Sequence, residues 1–269
     1  MIHISWEKKK ILILVKAYPE KSDKLGSAIC TAGITEENEW IRIYPIGFDY
    51  FVRKLNFKKF TWIEAEVQKA NEKLMRKESY KVRQKSIKII DDSLSNIKVN
   101  EEIKRKIWSE RQKIINSMVN NSVQELRNAY KKDKTSLGLI KPELIDFRFR
   151  KPFREINIDV PKTHQKSIDN SRVLIADRIE HIISYKFKCQ GIECNCKKET
   201  RPYHDMTCED WELFAALRKW PYENEIMEEK IREKFYKWMK EKRDLYFCMG
   251  MISRYPQWVI IGLLYPPRN

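Results

Sequence analysis

Four of the six cysteines fall between residues 189 and 208. With one histidine they make the string Cys189-x4-Cys194-x-Cys196-x7-His204-x3-Cys208. A random stretch of that length would hold about half a cysteine at this composition, so the crowding has a cause. Soft thiolates with an imidazole suit zinc held tetrahedrally by four ligands. One ion gripped by such a string forces the chain to fold back on itself between two short arms. Lys197, Lys198 and Glu199 separate the halves and suit an exposed loop. Cys189, Cys194, Cys196 and His204 are the preferred set. Cys208 is the alternative to Cys196, on the expectation that it opens the next helix one turn from His204. Four or five candidates predict a closed, structural Zn2+ site rather than an open catalytic one. The histidine and the spacing argue against an iron–sulfur cluster.

The charge is as uneven as the cysteines. The net charge is +16, and residues 50–154 carry +14 of it, from 27 basic and 13 acidic side chains. A polyanion-binding surface explains such clustering better than a uniform lysine bias does. No terminal segment pairs a long apolar face with this charge, so nucleic acid is a better expected partner than a membrane. The longest apolar run, Trp258 to Leu264, is too short to span a bilayer, and Met1 to Glu7 lack the features of a signal peptide. The expected location is therefore the cytoplasm, with reduced thiols.

Hydrophobic periodicity predicts an α+β chain. Ile11 to Val15, Ser27 to Ile34, Trp40 to Tyr44 and Ile63 to Val67 read as strands of an N-terminal antiparallel sheet or small barrel. A basic helical middle follows. One helix opens at Asn100 and carries Ile103, Ile107, Ile114 and Met118. A second starts from the capping box of Ser122 and Glu125. Ile145 to Arg150 and Ile156 to Val160 alternate as strands. The C-terminal part contains the zinc loop, two helices and a closing β-hairpin, with Thr207 and Asp210 as the cap of the first of these helices. The corresponding division is 1–70, 71–170 and 171–269, with one compact unit as the alternative.

Within the basic region, Phe147-Arg148-Phe149-Arg150-Lys151-Pro152-Phe153-Arg154 interleaves aromatic and cationic residues. On a strand the two Phe share the core face and the arginines the other, where guanidinium groups can hold phosphates bidentately. Arg148, Arg150, Lys151 and Arg154 are therefore candidate contacts to nucleic acid. Lys104, Arg105, Lys106 and Arg111 extend that surface. Glu64 and Glu66, on one face of a strand, form a weaker candidate for Mg2+-dependent phosphodiester cleavage, with Asp49 and Lys69 nearby. No phosphate-cradling glycine motif and no zinc-protease, hydrolase, kinase or deaminase string occurs.

Several strings resemble a family of uncharacterised bacterial proteins over nearly the whole chain. They are Lys16-Ala17-Tyr18-Pro19, Cys30-Thr31-Ala32-Gly33, Trp40-Ile41-Arg42-Ile43-Tyr44-Pro45, Asp210-Trp211-Glu212, Asp244-Leu245-Tyr246-Phe247 and Ile261-Gly262-Leu263-Leu264-Tyr265-Pro266-Pro267. The resemblance implies one architectural unit, with a Cys/His stretch preceding the Asp-Trp-Glu string. The functional expectation comes from the residues themselves. It is a nucleic-acid-binding protein, DNA before RNA, with a structural zinc. The alternatives are a metal-dependent nuclease or base-directed enzyme, or a subunit of a host-defence or mobile-element complex that meets a protein partner.

Overall fold

The computed structural model describes residues 5–70, 76–150, 181–191, 193–200, 202–219, 224–251 and 257–268. The expected strand at Ile156 to Val160 lies outside them. The fold is mixed α+β and begins with a closed barrel. Its strands are β1 (Glu7–Lys16), β3 (Gly26–Thr35), β4 (Trp40–Gly47), β5 (Trp62–Lys69) and β6 (Ser79–Val82). The short β2 (Glu20–Ser22) is added to β3, and β7 (Lys88–Asp91) to β5. Closure depends on the length of β1. Its first half pairs with β5 and its second half with β3. The circuit β1-β3-β4-β6-β5-β1 is antiparallel except between β4 and β6, which run parallel. A helical turn, α1 (Phe48–Tyr50) continued as a π-turn over Phe51–Leu55, separates the third and fourth barrel strands. This strand order, parallel pair and helix position are those of an OB-fold, a five-stranded Greek-key barrel.

Residues on alternate sides of β1 serve different cores. Ile11 and Ile13 point into the barrel, with Ile29, Ile41, Ile43, Ile63 and Val67. Leu12 and Leu14 point outward and are equally buried, against Leu137, Leu139, Tyr246 and Leu264 of a second sheet. Burial on both faces explains the unbroken run Ile11 to Val15. Where β1 and β3 cross, Gly33 faces Ile13, and a Cβ there would collide with the Leu12 carbonyl. Gly33→Ala is expected to cost roughly 1–3 kcal/mol through this overpacking. A urea midpoint equal to wild type would remove the constraint.

The second sheet has the order β14-β13-β9-β8, and the third has the order β10-β11-β12. Their strands are β8 (Val119–Asn120), β9 (Leu137–Ile140), β10 (Pro142–Arg150), β11 (Ile182–Cys189), β12 (His204–Thr207), β13 (Tyr246–Met251) and β14 (Trp258–Leu264). The last two form an antiparallel pair. Helix α2 (Glu101–Asn116) is capped by Asn100 and α3 (Val123–Asp133) by Ser122. On α2 the buried positions are Ile107, Arg111 and Ile115, four apart, whereas Ile103 is exposed, so the apolar face is set differently from the expected one. Helix α4 (Trp211–Lys219) precedes α5 (Asn224–Arg232), which continues through a π-helical segment (Glu233–Trp238) into α6 (Met239–Lys242). These helices close the largest apolar cluster, which also contains Phe147, Tyr185, Phe187 and Phe247.

A buried ionic cluster ties the barrel to the rest. Lys59 places its Nζ 2.7 Å from Asp210 Oδ2 and donates to the Leu263 carbonyl at 3.0 Å. Glu212 lies 3.5 Å from the same ammonium and accepts from Tyr265 Oη at 2.8 Å. Asp210 Oδ1 accepts from the N–H groups of Glu212 and Leu213, so Asp210 itself caps α4. The expected cap at Thr207 is corrected, because Thr207 ends strand β12. Lys16 donates to the Phe57 carbonyl at 3.0 Å and lies over the rings of Phe51 and Trp211.

Burial pushes the Lys16 ammonium down to about 8 from its ordinary 10.5. Glu212 opposes the shift and Lys59 adds to it. Between those values the unfolded chain keeps a proton that the folded chain has lost, so stability from this group rises with pH. The stability difference between wild type and Lys16→Met should therefore grow in favour of wild type from pH 8 to 10.5. A pH-independent difference in urea midpoints would contradict it.

Candidate metal centre and charged surfaces

Strand β11 delivers Cys189 at its end, and β12 begins at His204. Antiparallel pairing sets His204 opposite Phe187, two residues before Cys189. The intervening loop folds back through a 3-10 turn, Asn195–Lys197, with Cys194 at its N-cap and Cys196 inside it. The chain thereby gathers Cys189, Cys194, Cys196 and His204, all buried, with one ligand atom from each within 4.8 Å of the others. Cys194 Sγ lies 3.2 Å from His204 Nε2. Together they can hold a metal ion.

Backbone N–H groups are aimed at the sulfurs. Val123 N donates to Cys189 Sγ at 3.4 Å, and Cys189 N donates to Cys196 Sγ at 3.3 Å. Burial opposes ionisation of Cys194, yet the backbone N–H groups of Cys196 and Gln124, together with hydrogen bonds from the Cys196 and Cys189 thiols, lower its pKa. Burial raises Cys189 and Cys196. Val123 and Gln124 open α3, whose first N–H groups lack intrahelical partners. A helix start is thus docked on the thiols, and the Gln124 side chain accepts from Asn195 Nδ2 at 2.9 Å. The capping box at Ser122 signalled this helix, and nothing in the spacing signalled its contact with a cluster some seventy residues away.

Cys208 lies outside the group. Residues 204–207 are strand rather than helix, so four residues from His204 amount to roughly 13 Å of chain instead of one helical turn. Cys208 instead donates its backbone N–H to Ile183 and bridges Ile260. The four gathered donor atoms, three sulfurs and one imidazole nitrogen within 4.8 Å of one another, are close enough to share one ion.

The expected phosphate contacts are scattered among several environments. Lys104 pairs with Glu101 at 2.9 Å and Lys106 with Glu102 at 2.8 Å on the exposed side of α2, where Arg105 is also exposed. Arg111 is not on that surface. It is 5% exposed, donates to the Leu94 carbonyl, and its guanidinium lies over Phe60 and Trp108. Burial pushes its pKa down to about 10. Arg148 is half-buried and paired with Asp205 at 2.8 Å. Arg150 ends β10, and Lys151 and Arg154 lie outside the described residues. Glu66 pairs with Arg83 at 2.7 Å, Glu64 lies 3.9 Å from Lys8, and Asp49 pairs with Arg53. Among the described residues, the Cys/His quartet is the one grouping of metal-ligating side chains dense enough to hold an ion. No helix among them is long and apolar enough to cross a membrane.

Residues 7–117 match a family model described as Domain of unknown function (DUF8758), and residues 117–269 match one described as Domain of unknown function (DUF8757). No curated protein matches the chain. The two matches meet at Ser117, the C-cap of α2. The first takes in the whole barrel, and the second takes in all four gathered ligands and the α3 start that supports them. Because that second match covers more than half of its length, the chain belongs to the DUF8757 family.

Proposed function

We propose that this protein binds nucleic acid, DNA before RNA, through its N-terminal barrel, and that the Cys/His centre holds a structural zinc. One observation carries the reading: a five-stranded barrel of OB topology begins a chain of net charge +16. The topology supplies a scaffold suited to oligonucleotides, and the charge supplies the ligand class. Zinc matches the three-thiol, one-imidazole donor set, and four ligands close the coordination sphere, which leaves a structural role. The quartet, its N–H donors and α3 then form one unit that fixes the third sheet. Glu64 and Glu66 face basic partners, which favours binding over cleavage.

Binding should weaken steeply with salt. If about 6–10 phosphates are contacted, affinity falls roughly 10³–10⁵-fold between 50 and 200 mM salt. Fluorescence anisotropy with labelled DNA and RNA of matched sequence measures this. An affinity indifferent to salt, or no binding at low salt, would overturn the reading. Native preparations should contain about one zinc per chain by elemental analysis.

A further inference from the structure

OB barrels take ligands on the outer face of their second and third strands. Here those strands are β3 and β4, and the second sheet covers part of that face. Ala32 and Ile34 are buried against it, and Trp40 packs there too. Beyond Trp40 the same outward row of β4 continues to Arg42 and Tyr44. Arg42 is 3% exposed and Tyr44 is 40% exposed. Arg76, just before β6, joins them and is half-buried. The two guanidinium groups converge on one acceptor, the Met251 carbonyl, at 3.4 and 3.5 Å, and Arg42 also donates to the Ser136 carbonyl.

This pair is poorly compensated. Neither arginine makes an ion pair among the described residues. The Nε of each is buried without a partner, as is Ser79 Oγ. Ser79 is the register partner of Arg42 across the parallel β4–β6 pair, so all three unpartnered donors belong to one patch. Among the described residues, the carboxylates acting on Arg76 are Glu20 and Glu78, and they oppose its shift without cancelling it. Both Glu78 oxygens accept from Ser136 N, and one also accepts from Ser136 Oγ, while Glu20 sits exposed on β2. Burial, reinforced by Arg42, pushes Arg76 below the ordinary arginine range. Two adjacent cations without an ion pair among the described residues call for an anion, and half-buried Arg76 is the one it can reach. Tyr44, 40% exposed two residues along the strand, offers an aromatic surface to a planar partner.

We propose that the strip formed by Arg42, Arg76 and Tyr44 on the outer face of the barrel holds single-stranded nucleic acid, with a phosphate at half-buried Arg76, backed by the buried charge of Arg42, and a base stacked on Tyr44. This rests on the nucleic-acid-binding reading above and locates its contact. The stretch 50–154 then contributes mainly general attraction, with Arg76 as its member at the site.

The full chain is titrated with fluorescent oligothymidylate and oligouridylate of about 16 nucleotides, an OB-scale length. Tyr44→Ala should weaken binding by roughly tenfold or more, and Tyr44→Phe should restore it. Arg76→Gln should weaken binding and lower the salt slope by about 0.7, one phosphate's share on a single strand. Reversal of Lys240 and Lys242 to Glu on α6, at the opposite end of β13 from Met251, should do neither beyond a small uniform loss. Tyr44 is exposed, so its variants test the site even if Arg76→Gln lowers the melting temperature. Wild-type binding left unchanged by Tyr44→Ala and Arg76→Gln would overturn the strip and leave the nucleic-acid reading standing. Absence of wild-type binding at low salt would remove both.

Discussion

Serine at position 196 is expected to release the metal and unfold the part of the chain built around it. Cys196 is fully buried, accepts a hydrogen bond from the Cys189 N–H and is one of four gathered ligands. Serine offers a poor ligand for zinc and leaves a three-ligand site. In small zinc domains the metal contributes roughly 10–16 kcal/mol of apparent binding energy, all of it folding energy. Here the ligands sit inside the largest apolar cluster, beside Phe187, Met206 and Val123, so loss of the ion opens that core. The expected result is loss of bound zinc and a melting temperature lower by roughly 10 °C or more. Cys208→Ser should keep its zinc, since that thiol lies outside the quartet. Full zinc content and unchanged melting in Cys196→Ser would refute the centre.

The second large effect is expected at Asp210. Asp210→Ala removes the carboxylate from a fully buried pair and leaves the Lys59 ammonium stranded, 7% exposed, with the Leu263 carbonyl and the more distant Glu212 for company. Breaking a buried pair on one side costs about 3–5 kcal/mol. The same substitution uncaps α4 and frees the Leu263 N–H, adding up to about 2 kcal/mol. A urea midpoint shift with constant slope measures the loss. The double variant Lys59→Met/Asp210→Leu should recover much of it, because the stranded charge is gone. A loss under about 1 kcal/mol would mean the pair is solvated in practice.

Glu212 gives this cluster an acid limit. Burial opposes its ionisation, but Lys59, the Tyr265 hydroxyl and Lys16 hold its carboxyl below the usual 4.5. Its contribution is therefore present above that value and is lost as pH falls through the depressed one. Glu212→Gln should flatten that part of the acid unfolding curve.

Much of the metal centre was legible because ligand chemistry is local. Cys189, Cys194, Cys196 and His204 are soft donors crowded into one loop, and crowding of that kind has few causes. The misplacement of Cys208 shows the limit, since four residues span one turn of helix or more than twice that distance of strand. The barrel was legible as strands because alternation reports which side of a strand is buried. Its closure was not, because alternation is silent about which strands become neighbours. The joining of β4 to β6 in parallel, across the sequence between them, was beyond local reading.

The sequence by itself determined residue chemistry and local period: the Cys/His quartet, the strands of the N-terminal part and the excess of positive charge between residues 50 and 154. Tertiary structure alone decided where that charge faces. It turned Arg111 inward onto Leu94, paired Arg148 with Asp205, and brought Arg42 beside Arg76 on the barrel wall. The reason is physical. A cation's worth depends on what surrounds it within a few ångströms, and those neighbours come from segments far apart along the chain.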